Sequence, residues 1–225
     1  MVPTLLWALN NMAMDDKKLS QLINSKFVVE IPKKDMKRVY DMVEQNLGLS
    51  PKQWDAYRHG LAIKESQGGK FTAQPTMNYY LTQGGAGGLY DGRYQLGEDA
   101  KADAAKYLGE KNPGHDDKAR AAFIDDPVMQ EMYLAAYTIK NHHYMSLNIK
   151  DKNYQDDPKY NPKDYLLSNT HKRVGLLGFA HNQGHGAAKK YIVTGNDTTD
   201  QFNTKGSAYA GFIDDAATNL NVDWN

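Results

Sequence analysis

The segment that most constrains the fold is "SPKQWDAYRHGLAIKES", residues 50–66, a helix with both of its ends written into it. Ser50 is a good N-cap, and Pro51 suits the first turn, where a missing N–H is no loss. Trp54, Tyr57, Leu61 and Glu65 follow at steps of three or four, so they share one face. "QGG" then stops the helix. Glu65 therefore continues an apolar stripe, where a carboxylate is unusual. A chain that buries this face takes the carboxyl group with it.

Helical periodicity recurs along the chain. "PKKDMKRVYDMVEQNLG" (32–48) places Met36, Val39, Tyr40, Val43 and Leu47 at helical spacing and ends on Gly48. "GEDAKADAAKYLG" (97–109) predicts a short helix, and Asp126–Pro127 open a longer one with Met132, Ala136, Ile139 and His143 on one side. "HKRVGLLGFAHNQ" and "GHGAAKKYIVTG" predict two helices meeting near Gly184 and Gly186, and "GFIDDAATNL" predicts a last short one. Residues 68–97 are loop-rich, with "MNYYLT" expected as a strand and "GGAGG" as a flexible turn. Residues 151–164, polar with two prolines, are expected as a surface loop. The fold class expected is mainly α, a helical globule with a small irregular or β-containing insertion.

Charge and composition exclude several classes. The chain has 225 residues, 27 of them basic and 27 acidic, so no global field favours nucleic acid or an anionic membrane. Cysteine is absent, which removes disulfides, thiolate catalysis and cysteine-rich zinc sites. "MVPTLLWALNN" lacks the charged start and long apolar run of a secretory signal, and no window reaches the ~18 apolar residues of a membrane span. Fifteen tyrosines and three tryptophans supply rings that suit a core and equally suit sugar binding.

Most of the conspicuous motifs fail a chemical test. His181 and His185 stand four apart, but a helical zinc protease motif needs a glutamate directly after the first histidine, and Asn182 is there instead. Gly184 and Gly186 would disturb the helix that had to hold both rings. Adjacent His142 and His143 point about 100° apart on a helix. "GGAGGLYDG" has neither the GxGxxG spacing nor a Walker-type lysine, and Ser66 lies in no GxSxG elbow. No metal and no cofactor are expected. Glu65 passes the test. Burial disfavours its charged form and lifts its pKa, as a general acid working near neutral pH requires.

Three segments in order carry a family resemblance. "KES" (64–66), "GRYQLG" (92–97) and "AHNQGHGAAKKYI" (180–192) resemble the three signatures of soluble lytic transglycosylases and goose-type lysozymes. In that superfamily a Glu-Ser pair closes one helix, a Gly-Leu-Met-Gln motif opens the next, and an Ala-Tyr-Asn-x-Gly motif precedes a third. The resemblance spans roughly residues 50–195, as a lysozyme-like catalytic domain with a saccharide cleft lined by the insertion. Residues 1–49 would be an N-terminal helical extension, for docking or merely covering the core, and 196–225 a C-terminal segment packed on the same domain.

Carried over position by position, the resemblance makes Glu65 the catalytic acid/base. Ser66 would help fix the helix end near the cleft and contact substrate there. Gln95 would line the saccharide groove with Tyr94 beside it, and Asn182 would bind substrate or orient the acid. His181 stands where the family has a tyrosine that contacts the acid, and Arg93 and Tyr94 stand where Leu and Met are usual.

The implied target is the β-1,4 bond between N-acetylmuramic acid and N-acetylglucosamine in peptidoglycan glycan strands. Hydrolysis needs a second group to activate water or hold the cation. A lytic transglycosylase needs one carboxylate, which returns to take the C6 hydroxyl proton while the substrate's acetamido group assists. Asp91 is the candidate second carboxylate, and its other reading is a turn residue in an Asp-Gly pair. The sequence leans to transglycosylase chemistry. A catalytically silent glycan-binding module and a chitin-cleaving relative are the alternatives. Without a signal, the protein is expected to be made in the cytoplasm. It would reach the wall by phage lysis or injection or by specialised secretion, with delivery machinery or an immunity protein as partners.

Overall fold

The computed structural model describes residues 28–85, 88–147, 170–200 and 202–224. It is mainly helical. Helix α1 (Lys33–Leu47) buries Met36, Val39, Val43 and Leu47 and ends on Gly48, whose φ of 62° lets its N–H reach back to Glu44 O at 3.0 Å. Helix α2 (Pro51–Glu65) starts in a reciprocal cap. Gln53 N–H donates to Ser50 Oγ at 3.3 Å, and Ser50 N–H donates to Gln53 Oε1 at 3.0 Å. Trp54, Tyr57, Leu61, Ala62 and Ile63 of α2 are all buried, so this helix runs through the core rather than over it.

The insertion departs from the sequence reading in one respect. "MNYYLT" is not a strand: Met77–Tyr80 form a one-turn helix, α3, which puts Tyr80 fully into the core. Two two-residue strands follow, β1 (Gln83–Gly84) and β2 (Tyr90–Asp91), paired antiparallel with Gln83 opposite Asp91 and Gly84 opposite Tyr90. The expected turn lies between them, with residues 86 and 87 outside the described set.

Helix α4 (Glu98–Leu108) ends on Gly109 at φ 71°. Helix α5 (Asp117–Ile124), which periodicity did not reveal, is capped by Asp116, whose Oδ1 accepts from Ala119 N–H at 2.8 Å. Helix α6 (Pro127–Ser146) packs against α1, α4 and α5. Helix α7 (Thr170–Thr194) breaks at Gly184, where φ 80° and ψ 158° separate two helical stretches. The loop expected over 151–164 lies outside the described residues.

Helix α8 (Ala208–Leu220) is held close to two others by glycine. A Cβ on Gly60 of α2 would sit 2.5 Å from Ile213 Cα, and one on Gly178 of α7 would sit 3.0 Å from Tyr209 Cβ. These contacts need the missing side chains. They seat the start of α8 beside the end of α2. Helix α1 shares its apolar cluster with α2, α6 and α7, so the described part of the N-terminal extension belongs to the common core.

Candidate active site

Glu65 is the last residue of α2, and the chain leaves the helix through backbone bonds. Ser66 and Gln67 N–H both donate to Ala62 O, at 3.1 and 3.0 Å, and Gly69 N–H donates to Ile63 O at 2.8 Å. Gly69, at φ 85°, makes that last turn possible. The result aims Glu65 into a cleft of about 440 Å³. Lys64, the glycines of "QGG" at 84–85, Tyr90 and Gln95 line it, as do His181 and Asn182 of α7 and Asp200, Phe202, Thr204 and Tyr209 from the C-terminal segment. A second hollow of about 340 Å³ shares Tyr90, Gln95, His181 and Asn182 and runs on past Glu98, His115 and Tyr137. Together they form an elongated groove with Glu65 set into its wall.

The Glu65 side chain is 16% exposed. Tyr209 Oη donates to its Oε1 at 2.5 Å. The pKa of Glu65 is pushed up to about 7 because burial penalises the charge. The Tyr209 bond and the Lys64 charge work against that shift, and the Asp200 charge adds to it. The Tyr209 phenol is pushed well above its ordinary value by burial and by the neighbouring Glu65, so it stays a donor.

A chain of hydrogen bonds continues from there. Asn182 Nδ2 donates to Tyr209 Oη at 3.2 Å and to Asp200 Oδ2 at 3.0 Å. Asp200 Oδ1 accepts from the N–H groups of Phe202 and Thr204, each at 2.8 Å. Burial would raise the Asp200 pKa, but these donors and the Lys64 charge hold it below its ordinary value. The loop carrying Asp200 is pinned to α7. Gln183 Nε2 donates to Thr198 O at 2.8 Å, Thr198 Oγ1 donates to Gln183 Oε1, and Gly206 lies against the Phe179 ring.

Of the residues named from sequence, the structure brings Glu65, Gln95, His181 and Asn182 together in the cleft. Gln95 sits at φ 48°, and its Nε2 is tied to Gly92 O at 2.7 Å, which fixes the amide at the groove. His181 is not bonded to the acid. Its Nε2 lies 3.8 Å from Glu65 Oε1 and instead donates to the Tyr94 carbonyl at 2.9 Å. Burial pushes its pKa down to about 4, so the ring is neutral near pH 7.

Three expectations are corrected. Tyr94 is in the core rather than the groove, and its hydroxyl donates to Glu131 at 2.7 Å. Asp91 is fully buried in ion pairs with Lys101 Nζ at 2.6 Å and Arg120 Nη2 at 2.8 Å, so it faces no substrate. Ser66 closes α2 through its backbone; its hydroxyl is buried without a partner among the described residues and does not line the cleft.

Sequence reasoning missed Asp200, Phe202 and Tyr209. Tyr209, Ile213 and Ala216 are spaced to share a helix face, a signal that would have placed Tyr209 inward. Nothing in the sequence around Asp200 sets it apart. No group of three or more His, Cys, Asp or Glu that could hold a metal occurs among the described residues, and none of their helices is long and apolar enough to cross a membrane. No family model, no curated protein and no solved structure matches this chain.

Proposed function

We propose that the chain cleaves the β-1,4 bond between N-acetylmuramic acid and N-acetylglucosamine in peptidoglycan, with Glu65 as both acid and base. The observation that carries this reading is Glu65 itself, a carboxylic acid lifted to about 7 in the wall of an elongated groove and oriented by Tyr209. Protonated Glu65 donates its proton to the glycosidic oxygen as the bond from that oxygen to the anomeric carbon breaks. The ionised carboxylate, stabilised by the Tyr209 hydroxyl, then takes the proton of the oxygen that attacks the anomeric carbon. When that oxygen is the sugar's own C6 hydroxyl, the product is an anhydro-sugar and no water is consumed. Two facts leave Glu65, and not a second carboxylate, to take that proton. Asp91 is locked in ion pairs, and both oxygens of Asp200 already accept hydrogen bonds, which makes each a poor base for water. The exposed ring of Phe202 and the half-buried ring of Tyr90 offer apolar faces to sugar rings along the groove.

Clearing of a purified cell-wall suspension, followed by mass analysis of the products, tests the proposal. Anhydromuropeptides are expected, whereas reducing ends would assign hydrolysis. Glu65→Gln is expected to lower the rate by about 10²- to 10⁴-fold, and full activity in that variant would overturn the reading.

A further inference from the structure

We propose that Asp200 is a second working carboxylate of this cleft, a fixed negative charge that stabilises the positive charge developing at the anomeric carbon. The inference rests on the glycan-cleaving reading of Glu65 and adds a residue from the segment outside the sequence resemblance.

Asp200 and Glu65 line the same cleft and are joined by three hydrogen bonds of 3.0, 3.2 and 2.5 Å through Asn182 and Tyr209. Laid end to end, those bonds keep the interacting carboxyl oxygens closer than about 9.5 Å, the widest separation of working carboxyl pairs in glycosidases. A sugar whose glycosidic oxygen reaches Glu65 lies in the cleft that the Asp200 charge also lines.

The hydrogen bonds also decide which carboxyl group carries the charge. Asp200 accepts from two backbone N–H groups and from the Asn182 amide, all donors that favour the ionised form. Glu65 accepts from one phenol in a more buried place and keeps its proton to near neutrality. Two carboxyl groups with environments pulling their protonation apart are the pattern of an acid paired with an electrostatic partner. Because its oxygens are occupied, Asp200 acts on the cation through its charge and takes no proton. The same charge raises the pKa of Glu65, so it also keeps the acid loaded.

The competing explanation is that Asp200 only ties its loop together, and Asp200→Asn separates the two. The amide oxygen still accepts from Phe202 and Thr204 N–H, so the loop is kept, while the charge and the bond from Asn182 Nδ2 are lost. On solubilised glycan strands, kcat is expected to fall about 10- to 100-fold with KM little changed. The alkaline limb of the pH–rate profile, set by Glu65, is expected to move to lower pH. A variant with the wild-type kcat and an unmoved limb overturns the proposal. Carboxyl ¹³C NMR titration of the wild-type protein gives a readout that needs no variant. Asp200 is expected to stay ionised between pH 5 and 8 while Glu65 titrates, and an Asp200 that gains its proton in that range overturns the proposal. A wild-type protein that releases no fragments overturns the glycan reading and this one with it. An active wild type, an inactive Glu65→Gln and an unimpaired Asp200→Asn overturn this one alone.

Discussion

Glu131 of α6 and Glu65 of α2 are both removed from water, in opposite company. Glu131 is fully buried, and its Oε1 accepts from Tyr94 at 2.7 Å, Tyr80 at 2.8 Å, Arg58 at 3.1 Å and Arg93 at 3.4 Å. Burial alone would raise its pKa, but the two guanidinium groups and two phenols outweigh burial and hold it below its ordinary value. The ring of His59 joins this cluster by accepting from Arg93 Nη2 at 2.7 Å, and is kept neutral by its burial and by the two arginines. Glu65 has a single phenol and an exposed lysine nearby, so burial wins there. The pair teaches that burial does not by itself make a carboxyl group an acid. The absence of a buried cation next to it does.

The comparison predicts opposite consequences for stability, the largest at Glu131. Glu131→Ala leaves the buried Arg93 charge without a carboxylate and Arg58 with Asp55 alone, and is expected to cost about 3–5 kcal/mol, read by denaturant unfolding at pH 7. A loss under about 1 kcal/mol would mean that water reaches these arginines and that the cluster is not sealed. The folded pKa of Glu131 lies below the ordinary 4.5, so its stabilisation is fully present above about 4.5 and is lost as the pH falls through the folded value.

Glu65 runs the other way. Its folded value of about 7 lies above the ordinary 4.5, so the folded state holds the extra proton between those two values. Stability therefore falls as the pH rises through that window. Glu65→Gln, which carries no charge at any pH, is expected to be more stable than the wild type above pH 7, by up to about 3 kcal/mol. The advantage is expected to disappear below about pH 4.5. Equal stability of the two proteins at pH 8 would mean that Glu65 is solvated enough to ionise freely, and the contrast with Glu131 would collapse.

How much of this was legible in the sequence follows from which interactions are local. The capped helix ending on Glu65, the glycine stop of α1 and the break near Gly184 are set by neighbours within one or two turns, and they read correctly. Tyr94 and Asp91 did not, because their fates are decided by partners far along the chain, Glu131 for one and Lys101 and Arg120 for the other. "GRYQ" reads as a groove motif, yet only Gln95 of it faces the groove, while Arg93 and Tyr94 turn into the core. Tyr209 stands 144 residues from the acid it touches, and only the close seating of α8 on Gly60 and Gly178 brings them together. The phenol contact to Glu65 thus comes from α8, and the imidazole of His181 bonds the Tyr94 carbonyl.

The smallest expected effect lies in that phenol contact and sharpens the comparison most. The Tyr209 hydroxyl stabilises the ionised form of Glu65 and so works against burial, as Tyr80 and Tyr94 do at Glu131. Tyr209→Phe removes one charge-assisted hydrogen bond and keeps the ring that packs beside Phe212. The pKa of Glu65 is then expected to rise further, by about one unit, since such a bond is worth about 1.5 kcal/mol or more. The alkaline limb of the pH–rate profile moves up by the same amount, and the rate at its plateau falls because the carboxylate formed after proton donation has lost its donor. An alkaline limb that moves down would mean that the phenol favours the protonated acid, as an acceptor rather than a donor. Asn182 Nδ2 already donates to this oxygen, so the hydroxyl proton is free to point at Glu65, and the upward shift is the result that follows from the geometry.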